Sequence, residues 1–514
     1  MRRQYISVIS LLVIILWSSC RKDFEYDPSN GNLSFSKDTV FLDTIFTNIG
    51  SGTYALTVYN RTGIDLEIPS IRLGQGPLSN YRLNVDGMPG KEFQGIPIRA
   101  RDSLFIFIET TFDISQANGP TFLYTDAILF DSGFNLQEVA LVTLVKDAIF
   151  LFPRADSSGQ KETLNLGPDG NGNEIRVEGF TLGPDQLDFT NEKPYVIYGY
   201  AAVPENATLV MEAGTRVHFH QNSGIWVQPS ASLQINGALS TDTLLLEKEV
   251  IFEGDRLEPE FDNIPGQWGT LWMARGSVNN RIDHLTLKNA TVGLLVEGDG
   301  TLETPTLTIR NSQIYDAVSV NLWAKTAWVD AENLVLGSAG SISLYCNLGG
   351  KYAFVHSTIA NYWNRGLRNG AAVQIDNQTN LPSGELAVGN LEEANFVNSI
   401  IDGNGMFELE LISNQTNTFN FSFQNCLIKI NDQAAGVSGN PLYDFQDPAL
   451  YAEVLLNQSA RFTDTAKNDF SLGPDSPVLG AAQEAAALSV PFDILGYDRT
   501  LMPDMGAYQF ISND

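Results

Sequence analysis

Six segments of this chain align without a gap: IDHLTL (282–287), IRNSQI (309–314), AENLVL (331–336), FVHSTI (354–359), FVNSII (396–401) and FQNCLI (423–428). Each opens on an apolar residue, places His or Asn third and closes on an aliphatic residue. The third residues are His284, Asn311, Asn333, His356, Asn398 and Asn425, separated by 27, 22, 23, 42 and 27 residues. A period of this size is the mark of a solenoid, in which each repeat is one supersecondary unit that buries its apolar side only against its neighbours. The long interval predicts an inserted loop or an extra degenerate coil within 363–394. Second strands follow several repeats, at 292–296, 317–322, 341–345 and 407–411, so the reading is two or three strands per coil, stacked in parallel.

The third position has a physical explanation. A sharp bend between two strands needs a left-handed backbone, which Asn, His, Asp and Gly enter more readily than branched residues do. Asn side chains repeated from coil to coil can then bond one another and the turn backbone. On this reading Ile282, Ile309, Ala331, Phe354, Phe396 and Phe423 stack as one inward ladder, and Leu287, Ile314, Leu336, Ile359, Ile401 and Ile428 as another.

With EAGTRVHFHQNSGIWVQPSASLQING (212–237), IPGQWGTLW (264–272), FSLGPDSPVLGAA (470–482) and DILGYDRTLMPDMGAYQF (493–510), these repeats resemble the right-handed parallel β-helix proteins of pectin-lyase-like fold. Within that fold they are similar to bacterial lipoproteins that join such a helix to an N-terminal β-sandwich. The resemblance implies a β-helix over 191–514 with a C-terminal cap. It leaves activity open, because the fold hosts polysaccharide lyases, hydrolases, tailspikes and adhesins.

Upstream, short alternating strands at 40–45, 54–59, 104–108, 127–130 and 139–145 predict an immunoglobulin-like β-sandwich over 33–148. The expected fold class is therefore all-β, a sandwich followed by a solenoid. Residues 149–190, rich in Gly, Asp and Asn, read as a connector. Asp169, Asn171 and Asn173 have the spacing of the first three ligands of a calcium loop. Glu174 stands where the loop needs Gly, and Phe180 where it needs a bidentate Glu, so a turn is the better reading and no cofactor is expected.

At the start, Arg2 and Arg3 precede an uncharged, largely apolar run (6–17), shorter than the roughly 20 residues of a spanning helix. Leu16-Trp17-Ser18-Ser19-Cys20 resembles a bacterial lipobox, which implies a signal peptide over 1–20, lipidation of Cys20 and a membrane partner reached through that lipid. Residues 21–32 are then a flexible tether. Arg21 in place of Asp, followed by a charged stretch, points to the outer membrane with the body facing the exterior. The net charge of −29 repels phosphate backbones and argues against nucleic acid. Cys346 and Cys426 form no disulfide framework, although export would permit one bond.

Chemistry is sparse. Hydrolytic β-helices need paired carboxylates. Asp283, Glu332 and Asp402 stand near the bends in different coils and read as solvated surface, with no two in one lateral register. His284 and His356 fall on the bend ladder and read as structural. His218 and His220 share a strand face, but no third metal ligand accompanies them. Trp268, Trp272, Trp323, Trp328 and Trp363 are candidates either for core or for stacking on sugar rings. The expectation is a non-catalytic surface protein that serves adhesion or binds glycans through a solenoid face, its partners polysaccharide or surface proteins. The alternative is a polysaccharide lyase or glycoside hydrolase acting on the same face, with catalytic residues unassigned.

Overall fold

The computed structural model describes residues 26–512, apart from 117–120, 169–172, 382–383, 432 and 434–435. Cys20 and its lipobox, and Asp169 and Asn171 of the calcium-like spacing, lie outside the described residues. The chain is all-β and divides into two units, at Asp147 and Ala148.

The first unit is an immunoglobulin-like sandwich. One sheet runs in the order Asp27–Pro28, Leu66–Leu73, Thr121–Phe130, Gln137–Lys146, Thr39–Phe46, with Glu92–Ile98 also on Leu66–Leu73. The other runs Ser34–Phe35, Tyr54–Tyr59, Ser103–Thr110, Tyr81–Val85, Met88–Gly90. Alternate residues of the strands, such as Val139, Leu141 and Val145 of one sheet and Leu56, Val58 and Ile106 of the other, fill a single core. The expected tether is shorter than 21–32. Asp27–Pro28 pairs with Leu66 and Glu67, and the buried Ser29 hydroxyl donates to both carboxylate oxygens of Asp131 at 2.6 and 2.7 Å.

The second unit is a parallel β-helix with three strand faces per coil. The first face includes Thr208–Met211, Ser232–Asn236, Asn280–Asp283, Gly350–Val355, Leu391–Val397 and Ser422–Gln424. The second includes Arg216–Phe219, Val250–Gly254, Leu285–Lys288, Thr358–Asn361, Ile400–Gly403 and Leu427–Ile428. Two strands, Leu307–Tyr315 and Trp328–Leu336, run through the bend from the first face to the second. The third face is a separate sheet that includes Tyr200–Val203, Gly224–Val227, Leu271–Met273, Val292–Glu297, Val320–Lys325, Ile342–Asn347, Val373–Asp376 and Leu409–Ile412.

Parallel registry builds the core as ladders. Ile282, Ile309, Ala331, Phe354, Phe396, Phe423 and Tyr451 are successive partners. The last four are aromatic and stack, with ring centroids 4.9, 4.9 and 5.6 Å apart. On the second face Leu287, Ile314, Leu336, Ile359, Ile401 and Ile428 pair in the same way. The interval between His356 and Asn398 holds a loop over 362–372 and a hairpin of Gln378–Asn380 with Leu386–Val388.

Residues 149–190 are not a linker. Ile149–Leu151 pairs with Tyr195–Ile197, and the hairpin Thr163–Pro168 with Glu174–Thr181 joins Tyr200–Val203, so this stretch is the first coil. Its Gly/Asp/Asn composition does not mark a domain boundary, which falls at Asp147 and Ala148. Val437 and Tyr443 join the solenoid core, and the C-terminal segment beyond the last coil packs on the second face. Phe470, Ile494, Ala507 and Tyr508 pack on Val335 and Ala360, while Leu472, Val478 and Met505 pack on Ile400 and Leu427. It is a strap along the outside of the second face, where those four residues point away from the core.

Candidate functional site

Three residues per strand decide what the third face presents. Leu271, Leu294, Leu322, Leu344, Val373 and Leu409 point inward in one register, and Met273, Val296, Ala324, Cys346, Ile375 and Leu411 in another. Alternation along a strand sends the residue between them outward. That outward row reads Trp226, Trp272, Leu295, Trp323, Tyr345, Gln374, Glu410. Trp226 and Trp272 have ring centroids 5.8 Å apart, and Trp323 and Tyr345 stack at 5.6 Å. Trp226 is buried in a cluster with Leu164 of the hairpin, and Leu166 and Val177 pack against that cluster. From Trp272 to Tyr345 the row is half-buried.

A polar row runs beside it. Trp272 Nε1 donates to Glu297 at 2.9 Å, and Lys325 lies 3.4 Å from the same carboxylate. Asp376 accepts from Tyr345 Oη at 2.8 Å, Asn347 Nδ2 at 2.8 Å, the Leu348 N–H at 2.8 Å and Gln374 Nε2 at 3.2 Å. Burial raises the Asp376 carboxyl above the usual range against the pull of those bonds. Glu410 is raised by burial and by the charge of Asp376. With four donors fixed on it, the carboxylate of Asp376 orients the Tyr345 ring and is poorly placed to move protons. The arrangement offers flat apolar rings edged by fixed hydrogen-bonding groups.

All six bend residues have left-handed backbones: His284 φ 49°, Asn311 47°, Asn333 50°, His356 49°, Asn398 54° and Asn425 49°. Asn333 Nδ2 donates to Asn311 Oδ1 at 2.9 Å, Asn311 Nδ2 to Asp283 at 3.0 Å, and Asn398 Nδ2 to His356 Nε2 at 2.9 Å. The strap takes up much of the remainder, since Asn398 and Asn425 donate to the Gln483 and Ala481 carbonyls. Burial, and then the charge of Arg499, push the His356 imidazole down to about 3, so it is neutral. Glu453, φ 53°, holds the next bend and carries none of the residue-type signal that marks the others.

The carboxylates near the bends differ from expectation in one respect. Asp283 and Glu332 do share a register, with Arg310 between them and its Nε 3.0 Å from Glu332. The intervening cation makes this an ion-pair row. Asp402 is buried and accepts from Tyr362 Oη at 3.0 Å. His218 lies 3.5 Å from Glu253 and His220 2.7 Å from Asp255. Among the described residues no group of three or more His, Cys, Asp or Glu could hold a metal ion. Cys346 and Cys426 are free, buried thiols, pushed up by burial, Cys426 to about 12. Of the five tryptophans named from sequence, Trp268 is core, stacked on Phe219 at 4.3 Å, and Trp363 is buried. Trp328 lies under Lys351 at 4.0 Å, and only Trp272 and Trp323 stand on the row. Trp226, Tyr345, Glu297 and Asp376 went unread, because the third strand carries no bend residue to set its register.

No protein-family model matches the chain. No curated protein matches it either. Among solved structures it is similar to the catalytic unit of a GH87 α-1,3-glucanase from Streptomyces thermodiastaticus strain HF3-3, at 11% identity and TM-score 0.22, over 72% of this chain and 80% of that one. A family 123 glycoside hydrolase from Clostridium perfringens matches at 9% identity and TM-score 0.17 over 24% of this chain, which spans 30% of that structure's length. A PapD-like domain of human CEP192 matches at 9% identity and TM-score 0.15, over 25% of this chain and 94% of the domain.

Proposed function

We propose that this protein is a lipid-anchored, surface-exposed protein of the outer membrane that holds a glycan along the third face of its β-helix and does not cleave it. The observation that carries this reading is the outward row of Trp272, Leu295, Trp323 and Tyr345, in register at one residue per coil. Sugar rings stack on such faces, and the flanking Glu297 and Lys325, both part-exposed, can meet their hydroxyls. A net charge of −29 favours uncharged over acidic polysaccharides. The bonds already made by Asp376 and Glu297 support binding over catalysis, while Glu410, raised by burial and by the charge of Asp376, is the carboxylate on which a hydrolytic reading would rest. The Cys20 lipid is the proposed anchor. A glycan array together with a depolymerisation assay on the purified protein tests the reading. Binding of neutral oligosaccharides without chain shortening supports it; shortening of a bound chain supports a hydrolase or lyase instead.

A further inference from the structure

A cavity of about 830 Å³ opens where the second face turns into the third. Its walls come from those corners (Tyr198, Tyr200, His220, Asn222), from Glu178 of the hairpin and from Lys161 just before it. His220 stacks on Tyr198 with ring centroids 4.4 Å apart, and its Nδ1 lies 2.7 Å from Asp255 Oδ2. That bond leaves Nε2 as the ring nitrogen available to a ligand. Two glycines seat Tyr200: a Cβ at Gly224 or Gly269 would run into its ring or hydroxyl. Tyr200 also packs against the cluster that holds Trp226, as Trp272 does, so the cavity and the aromatic row share that cluster.

Charge decides what class of ligand fits. Lys161 and Glu178 pair at 2.6 Å, and Asp255, which backs the cavity, is hydrogen-bonded to His220 Nδ1 at 2.7 Å, a contact that raises the imidazole. The Tyr198 hydroxyl, pushed up to about 12 by burial and by Asp255, stays a donor at neutral pH. Two aromatic rings, a histidine and a set of amide and hydroxyl groups, with the lining lysine paired to Glu178, suit a neutral, hydroxyl-rich ring. The geometry points to a subsite for the end unit of an uncharged glycan, with Tyr198 and Tyr200 offering ring faces and His220 Nε2 a hydrogen bond to a sugar hydroxyl. This rests on the glycan-binding reading of the third face.

The test uses the full chain in detergent. Only four histidines exist, so imidazole resonances can be followed singly, and the set missing in His220→Gln identifies His220. The probes are the methyl glycosides of glucose, galactose, mannose and N-acetylglucosamine, with methyl glucuronide as the charged control. At least one neutral glycoside should shift the His220 resonances, and that shift should persist in Trp323→Ala. On an oligosaccharide array, His220→Gln and Tyr198→Ala should each weaken hexasaccharide binding at least fivefold. If no glycoside moves His220 and His220→Gln binds like wild type while Trp323→Ala loses binding, the subsite is wrong and the row stands. Loss in His220→Gln with Trp323→Ala unaffected would keep the subsite and remove the row. A larger response to methyl glucuronide than to every neutral glycoside would overturn the uncharged assignment.

Discussion

Arg499 Nη2 donates to Asn333 Oδ1 at 3.0 Å, joining the C-terminal strap to the bend ladder across 166 residues. Arg499 is 1% exposed, and its guanidinium also donates to the Gly506 and Ala507 carbonyls. Burial lowers it to about 10 against the pull of Asp493 and Asp504. Removing one partner from so buried a set leaves the others uncompensated. Arg499→Ala should cost about 3–5 kcal/mol in urea unfolding and free the strap to proteolysis. A loss under about 1 kcal/mol would mean the strap is held by its apolar residues alone.

The aromatic stack gives a second expectation. Phe396 is fully buried between Phe354 and Phe423, each 4.9 Å away. Phe396→Ala should destabilise by about 3–5 kcal/mol, read as a shift in the denaturant midpoint. Phe396→Leu should recover most of that.

The bend histidine carries a pH signature. His356 titrates near 6.5 when unfolded and near 3 when folded, so its neutral form stabilises the fold above about 6.5. That contribution is lost as pH falls toward 3, by about 1.4 kcal/mol per unit. His356→Asn keeps the left-handed bend, so it should cost little at pH 7.5 and flatten the slope of stability between pH 6 and 4. His356→Val should be harmful at every pH, by about 1–2 kcal/mol of backbone strain. Equal melting of the two variants would remove the bend from the account.

Cys20→Ala tests the anchor. Without lipid the chain should leave the membrane fraction, since no helix among the described residues is long and apolar enough to cross a membrane. Full retention of the variant would end the lipoprotein proposal.

How far the sequence reached depended on where it carries a local marker. The bends were readable because a left-handed backbone selects Asn and His, and those six positions set the register of two faces, hence the Phe354 and Ile359 ladders. The third strand lacks such a residue, so Trp323 and Tyr345 could not be told from core, and the row that pairs them stayed hidden. Composition reads as a linker at 149–190, where Ile149–Leu151 and the paired strands Thr163–Pro168 and Glu174–Thr181 belong to the first coil. Ser29 and Asp131, 102 residues apart, bond where the sequence reads as tether, because nothing local announces a partner that distant.

Trp323→Ala with Tyr345→Ala, set against wild type on one array of neutral oligosaccharides, is the most direct measurement of the central claim. Both side chains are half-buried on the outside of the sheet, so the double variant should melt within a few degrees of wild type. The account predicts at least a tenfold loss of affinity for every glycan that wild type binds. Unchanged affinity in a well-folded double variant would contradict it.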